Sequence, residues 1–121
     1  MDRIKAEGIP LWVTLFLCLI ILFGIGFGAP AMLGHGLMET QTIGWGGRQL
    51  GIAVGSILAI AYRSQVGYLI VFTCAVFKET SDLIEVMSAP VLEMGMVIGF
   101  IPFICLELAS LWLSYRAAKA N

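Results

Sequence analysis

Four long apolar blocks dominate this sequence, and they constrain the fold more strongly than any other feature. The first block covers residues 9–29 and contains no charged residue. A helix of about 20 apolar residues is long enough to cross a hydrocarbon core of ~30 Å. Three further blocks of similar length follow at residues 43–62, 66–87 and 91–115. The sequence therefore predicts a membrane protein whose helices cross the lipid bilayer four times.

The composition and the short connections indicate the same architecture. Hydrophobic residues make up 60% of the chain and charged residues 12%, whereas soluble domains carry about a quarter charged residues. Short connections make successive helices antiparallel neighbours. We therefore expect residues 1–121 to form one all-α domain, a transmembrane four-helix bundle. Its net charge of −1, without a clustered basic surface, argues against a nucleic-acid partner.

Basic residues near the ends of the blocks predict the orientation. An even number of spans puts five of them on one side of the membrane, namely Arg3, Lys5, Arg63, Arg116 and Lys119. By the positive-inside rule we expect that side, with both termini, to be cytoplasmic. A rival interpretation is a secretory signal peptide ending at the Ala-Pro-Ala sequence of residues 29–31, whose cleavage would leave three spans.

Glycine recurs every four residues in three of the blocks. The positions are Gly24 and Gly28 in the first, Gly47, Gly51 and Gly55 in the second, and Gly95 and Gly99 in the fourth. Small residues at this spacing let helix backbones approach closely in lipid. We expect these faces to pack within the monomer, with no room for a side chain at Gly51. The alternative is that they form a homodimer face.

Ionisable residues fall inside the second and third blocks. The uncharged stretches there, residues 49–62 and 64–77, are too short to span a membrane unaided. Arg48 and the group that includes Lys78 and Asp82 must therefore lie in the outer part of the membrane or at its edge.

The hairpin formed by these two blocks predicts how the charges pair. It turns near residues 64 and 65, which makes Arg48 level with residues 80–82. An unpaired Arg at mid-membrane costs at least ~2.5 kcal/mol, so we expect Arg48 to pair with Asp82, or otherwise with Glu85. Lys78, Asp82 and Glu85 share one helix face. Two interpretations remain open: a salt bridge that sets the hairpin register, or the polar floor of a ligand pocket or ion path.

Glu107 is a second candidate site residue, because no basic residue on its own helix lies within one turn. Its carboxyl group is expected either to be protonated or to reach Arg63. His35 is expected to be an ordinary solvated loop residue. The three cysteines are widely spaced and match no metal or redox motif, so the sequence predicts no metal site.

Two short elements give the chain a family resemblance. A Gly-Gly-Arg-x-x-Gly element at residues 46–51 begins the second helix, and Ser81 and Asp82 stand near the end of the third. With the four-span layout, they make the chain similar to the DoxX-like proteins, a group of small bacterial four-helix membrane proteins. Some members resemble subunits of quinone-linked sulfur oxidation, while most have no assigned activity. The resemblance therefore implies the fold more than a function.

Three functions fit these observations. The first is a small accessory or scaffold protein of the bacterial inner membrane that binds a partner protein or a lipid. The second is a membrane enzyme subunit that binds a quinone or another lipid-like molecule between its helices. In that case Arg48, Asp82 and Glu85 orient a polar head group, and Phe103 and Cys105 line a pocket for the tail. The third is a pathway for protons or small ions from Glu107 to the Asp82 group.

Overall fold

The computed structural model describes residues 5–90 and 94–120, and in these ranges the chain contains four helices and no strand. Helix α1 covers Leu11–Met32, α2 covers Ile43–Ala61, α3 covers Gln65–Met87 and α4 covers Met94–Ala120. The predicted all-α bundle is confirmed. The first residues of the predicted fourth block, 91–93, lie outside the described ranges.

Local capping explains where α2 and α3 begin. The Thr42 side-chain oxygen accepts a hydrogen bond from the Trp45 backbone N–H at 3.2 Å, and the Ser64 hydroxyl accepts one from the Gly67 N–H at 2.9 Å. Each satisfies a donor that the first turn of a helix leaves unpaired. Between the two helices the chain reverses at Arg63, whose φ of 49° places it in the left-handed region.

Three of the four helices, α1, α2 and α4, are long and apolar enough to cross a membrane. Many of their large side chains face outward, with Leu22 69% and Ile98 65% exposed. An apolar surface of this extent suits lipid better than water. Helix α3 has 23 residues, but the charges in its second half keep it outside this group. That α3 also crosses the membrane stays a prediction.

The two ends of the bundle differ. At one end the segment before α1 meets the start of α3 and the end of α4: the Gln65 side-chain amide donates a hydrogen bond to the Glu7 carbonyl, and Gly8 lies against Ala117. Both ends of the described chain therefore lie at the same end of the bundle. We call the opposite end, which carries the 33–42 connection, the far end.

Aromatic side chains fill the core between α1, α3 and α4. The Phe16 and Phe72 rings stack with centroids 6.2 Å apart, and the Phe103 centroid lies 5.1 Å from that of Phe16. Beside them the buried hydroxyls of Thr14 and Tyr68 share a hydrogen bond of 2.7 Å. Large rings hold α1 and α3 apart while filling the space between them.

Small residues instead bring α1 and α2 close together. A Cβ atom added at Gly24 would lie 2.7 Å from the Ala53 Cβ, and one at Gly28 would lie 2.8 Å from the Gln49 Cβ. A Cβ at Gly46 would meet the Gly28 carbonyl oxygen at 2.6 Å. A π-helical turn at Gly24–Gly28 lies at this crossing. Gly24 and Gly28 therefore lie in the close contact between α1 and α2.

The rest of the glycine prediction is wrong. Outside the glycine's own stretch of helix, no described atom lies within 4 Å of a Cβ placed at Gly47, Gly51, Gly95 or Gly99, and one at Gly55 makes only ordinary contact with Val71 at 3.5 Å. The face of α2 that packs against α1 instead carries Gly46 and Ala53. Gly46 and Gly47 are neighbours in sequence and differ by about 100° around the helix, so the predicted ridge of Gly47 and Gly51 faces outward.

Candidate functional site

A buried charge cluster occupies the second half of α3. The Lys78 ammonium lies 3.0 Å from a Glu79 carboxylate oxygen and 2.8 Å from an Asp82 carboxylate oxygen. All three residues are buried, with exposures of 9% or less. These three side chains face the interior of the bundle, which is where charged side chains of membrane helices normally lie. The Lys78 ammonium thus pairs with two carboxylates, and the three side chains together have a formal charge of −1.

Trp45 completes this cluster from α2. Its indole N–H donates a hydrogen bond to the Asp82 carboxylate at 3.3 Å, and its ring centroid lies 5.3 Å from the Lys78 nitrogen. That distance is within the range of a cation–π interaction. The sequence reasoning missed Trp45, although one signal was available: it lies one turn from Arg48, on the stretch that the hairpin register makes level with Asp82.

Arg48 is not the partner of Asp82, and that prediction is wrong. Its side chain is exposed and forms no ion pair with any residue that the structure describes. It lies in a groove on the outer surface of the α2/α3 pair, which it lines together with Gly51, Gly55 and Lys78. The rotation that turns the glycine ridge outward also turns Arg48 outward, because these residues share one side of the helix.

Glu107 is 1% exposed, and one of its carboxylate oxygens has no hydrogen-bond partner among the described residues. The charged groups whose fields reach it are Glu79 and Lys78. The expected contact with Arg63 does not form, since the Arg63 guanidinium donates to the Lys5 carbonyl at 3.0 Å. Glu107 therefore belongs to the surroundings of the Lys78 cluster.

Two adjoining hollows open beside the cluster at the far end, and together we call them the far cleft. They share the side chains of Met38, Gln41, Trp45, Met96 and Phe100. One hollow, of about 430 Å³, has mainly aromatic and aliphatic walls that include Phe23, Phe27 and Phe103, with Glu79 at its edge. The other, of about 600 Å³, is lined by the carboxylates of Asp82 and Glu85.

Only some of the predicted site residues line the far cleft. Asp82, Glu85 and Phe103 line it, while Lys78 lies beside it and pairs with two of its carboxylates. Cys105 is exposed at the bundle surface and does not line the cleft, so its predicted place in a tail pocket is wrong.

The remaining candidates take no part in this site. His35 is exposed in the 33–42 connection, and the three cysteines are free. In the part of the chain that the structure describes, no group of three or more His, Cys, Asp or Glu side chains is arranged to hold a metal ion.

Comparison of the chain with protein-family models, with curated proteins and with solved structures gives no match. The resemblance to the DoxX-like proteins therefore stays a prediction.

Proposed function

We propose that this protein is a small accessory protein of the membrane that binds one amphipathic, lipid-like molecule in the far cleft. The observation that carries the proposal is a mainly apolar pocket that shares part of its wall with a pocket lined by Asp82 and Glu85. A molecule with an apolar tail and a polar head matches this arrangement, because its tail fits the apolar pocket and its head the pocket with carboxylates.

The size and lining of the cleft support this proposal. Ligand sites commonly have volumes of ~300–1,000 Å³, mostly apolar walls and a few placed polar groups. Both hollows, at about 430 and 600 Å³, fall in that range. The tail would lie among the rings of Phe23, Phe27 and Phe100, and the head group near Gln41 and Trp45.

A quinone is one molecule that fits this description in outline. Its ring carbonyls accept hydrogen bonds, and the side-chain amides of Gln41 and Gln49 at the cleft are possible donors. With a quinone bound, the protein would serve as a subunit of a redox enzyme in the membrane.

A second role, contact with a partner protein or with a second copy of the chain, is favoured by the open glycine faces. The spaces beside Gly47 and Gly51 on α2, and beside Gly95 and Gly99 on α4, hold no described atom within 4 Å of an added Cβ. A partner helix could approach closely there. Such contact is compatible with a ligand in the cleft, because only Gly99 lines it.

Native mass spectrometry of the detergent-purified protein tests the proposed function. We expect a retained molecule of lipid-like mass. Gly99→Phe should abolish its retention, because the new side chain enters the cleft from a position with open space. Gly95→Phe is the matched control: it lies one turn away on the same helix, also in open space, and does not line the cleft. Equal retention by both variants would contradict binding in the cleft.

A further inference from the structure

We propose that the molecule held in the far cleft is an amphiphile with a cationic head group, such as an alkylamine or a quaternary ammonium compound. This inference rests on the proposed function and adds the charge of the ligand. It is carried by the charges around the cleft and by the aromatic ring at its centre.

The walls of the cleft carry carboxylates and no cation in the described part of the chain. Glu79 lines one hollow, and Asp82 and Glu85 line the other. The one basic side chain beside them, Lys78, already has its ammonium within 3.0 Å of both Glu79 and Asp82. The group of four ionisable residues therefore keeps a formal charge of −2 when its carboxylates are ionised.

The other helices do not reverse this charge. The far half of α1 has no ionisable residue. Arg48 on α2 lines the outer groove, which Lys78 also borders, and it does not line the far cleft. The ionisable group that α4 places near the cluster is Glu107, another acid. An anionic head group would be repelled at this site, and a neutral one would leave the excess charge uncompensated.

Trp45 gives the site the second feature that suits an organic cation. It belongs to the walls of both hollows, and its ring already lies 5.3 Å from one ammonium, that of Lys78. Trp is the best of the aromatic side chains for cation–π contact, and quaternary ammonium groups are commonly bound by such rings. The Phe100 ring stands at the same boundary, so the head group would meet carboxylates and aromatic faces together.

A set of three probes with the same chain length tests the inference: decyltrimethylammonium, decanol and decyl sulfate. The full chain is placed in lipid nanodiscs with Trp12 and Trp112 replaced by Phe, so that the emission of Trp45 reports binding. Empty nanodiscs give the background of partition into lipid. We expect the cation to bind roughly tenfold more tightly than the alcohol, as one favourable charge contact near a protein surface allows. The sulfate should bind most weakly.

Two variants identify the source of the preference. Glu79→Gln should weaken binding of the cation roughly tenfold and leave that of decanol unchanged, and Glu85→Gln should have a smaller effect of the same kind because Glu85 is exposed. Glu7→Gln, at the opposite end of the bundle, is the control. A folding defect would weaken the binding of both probes alike, so the selective loss identifies an electrostatic effect.

The outcomes separate this inference from the proposed function. If decanol and decyl sulfate bind as well as the cation, and Gly99→Phe removes all three, a lipid-like ligand does bind in the cleft and the inferred charge is wrong. If none of the three changes the Trp45 emission above the nanodisc background, the cleft does not bind amphiphiles and both proposals fail.

Discussion

At the scale of single residues, Lys78 is the side chain that should contribute most to the stability of the far end of the bundle. Its ammonium contacts two buried carboxylates and lies near the face of the Trp45 ring. Removing a buried charge leaves its partners uncompensated, which commonly costs ~3–5 kcal/mol. Arg48 is exposed and unpaired among the described residues, so it should contribute little to the stability of the bundle.

Lys78→Met should therefore lower the free energy of unfolding by about 3–5 kcal/mol. Arg48→Met should change it by less than about 0.5 kcal/mol, as is usual for surface positions. Unfolding in mixed detergent micelles, followed by circular dichroism, measures both. A larger loss for Arg48→Met than for Lys78→Met would show that the charge pairing described here is wrong.

The hydrogen bond between Thr14 and Tyr68 allows a second test at this scale. Both residues are fully buried, so Tyr68→Phe leaves the Thr14 hydroxyl without its partner. The expected cost is about 1–3 kcal/mol. The double variant Thr14→Val with Tyr68→Phe should recover most of the loss, since it replaces both polar partners by apolar groups of similar shape. If the double variant is no more stable than Tyr68→Phe, the penalty does not come from an unpaired hydroxyl.

At the scale of elements, the contact between α1 and α2 is set by which side of α2 faces inward. Gly46 lies against the α1 backbone near Met32 and Gly28, while its neighbour Gly47 faces open space. The two positions are adjacent in sequence and in the same helix, but they differ by about 100° around it.

Gly46→Ala should thus destabilise the bundle by about 1–3 kcal/mol, because the added methyl group meets backbone atoms that can move only with the helix. Gly47→Ala should be neutral or stabilising by up to about 1 kcal/mol, because Ala is a better helix former and meets no described atom. Thermal unfolding of both variants measures the difference. Equal stability of the two variants would mean that α2 is rotated differently from the structure.

At the scale of the whole molecule, the two ends of the described chain meet at one end of the bundle, where Gly8 lies against Ala117. If α1, α2 and α4 cross the membrane, α3 must cross as well for the ends to meet there. Three of its four charged side chains, Lys78, Glu79 and Asp82, are then buried in the interior of the bundle, and Glu85 is exposed.

Both termini are expected on the cytoplasmic side, because basic residues concentrate at that end. A fluorescent protein that matures only in the cytoplasm should be bright when fused to either terminus. Alkaline phosphatase, which is active only after export, should be inactive at the same positions and active when inserted in the 33–42 connection. The reverse pattern would contradict the orientation, and opposite results at the two termini would mean an odd number of spans.

The sequence by itself determined the four helices, their approximate ends and the apolar character of their surfaces. It did so because these depend on properties of contiguous residues: the length of each apolar block and the positions of the charged residues that interrupt or follow it. It also placed Lys78 and Asp82 on one face of their helix, since that follows from helical periodicity alone.

Only the tertiary structure decided which side of α2 faces its neighbours. Small residues stand on more than one side of this helix, with Gly46 and Ala53 on one and Gly47 and Gly51 on another, so the spacing of small residues selected no single face. The choice depends on the fit of Gly46 against Gly28 and of Gln49 against α1. That rotation turned Arg48 outward, brought Trp45 to Asp82 and opened the far cleft, because a helix moves all its side chains together when it turns.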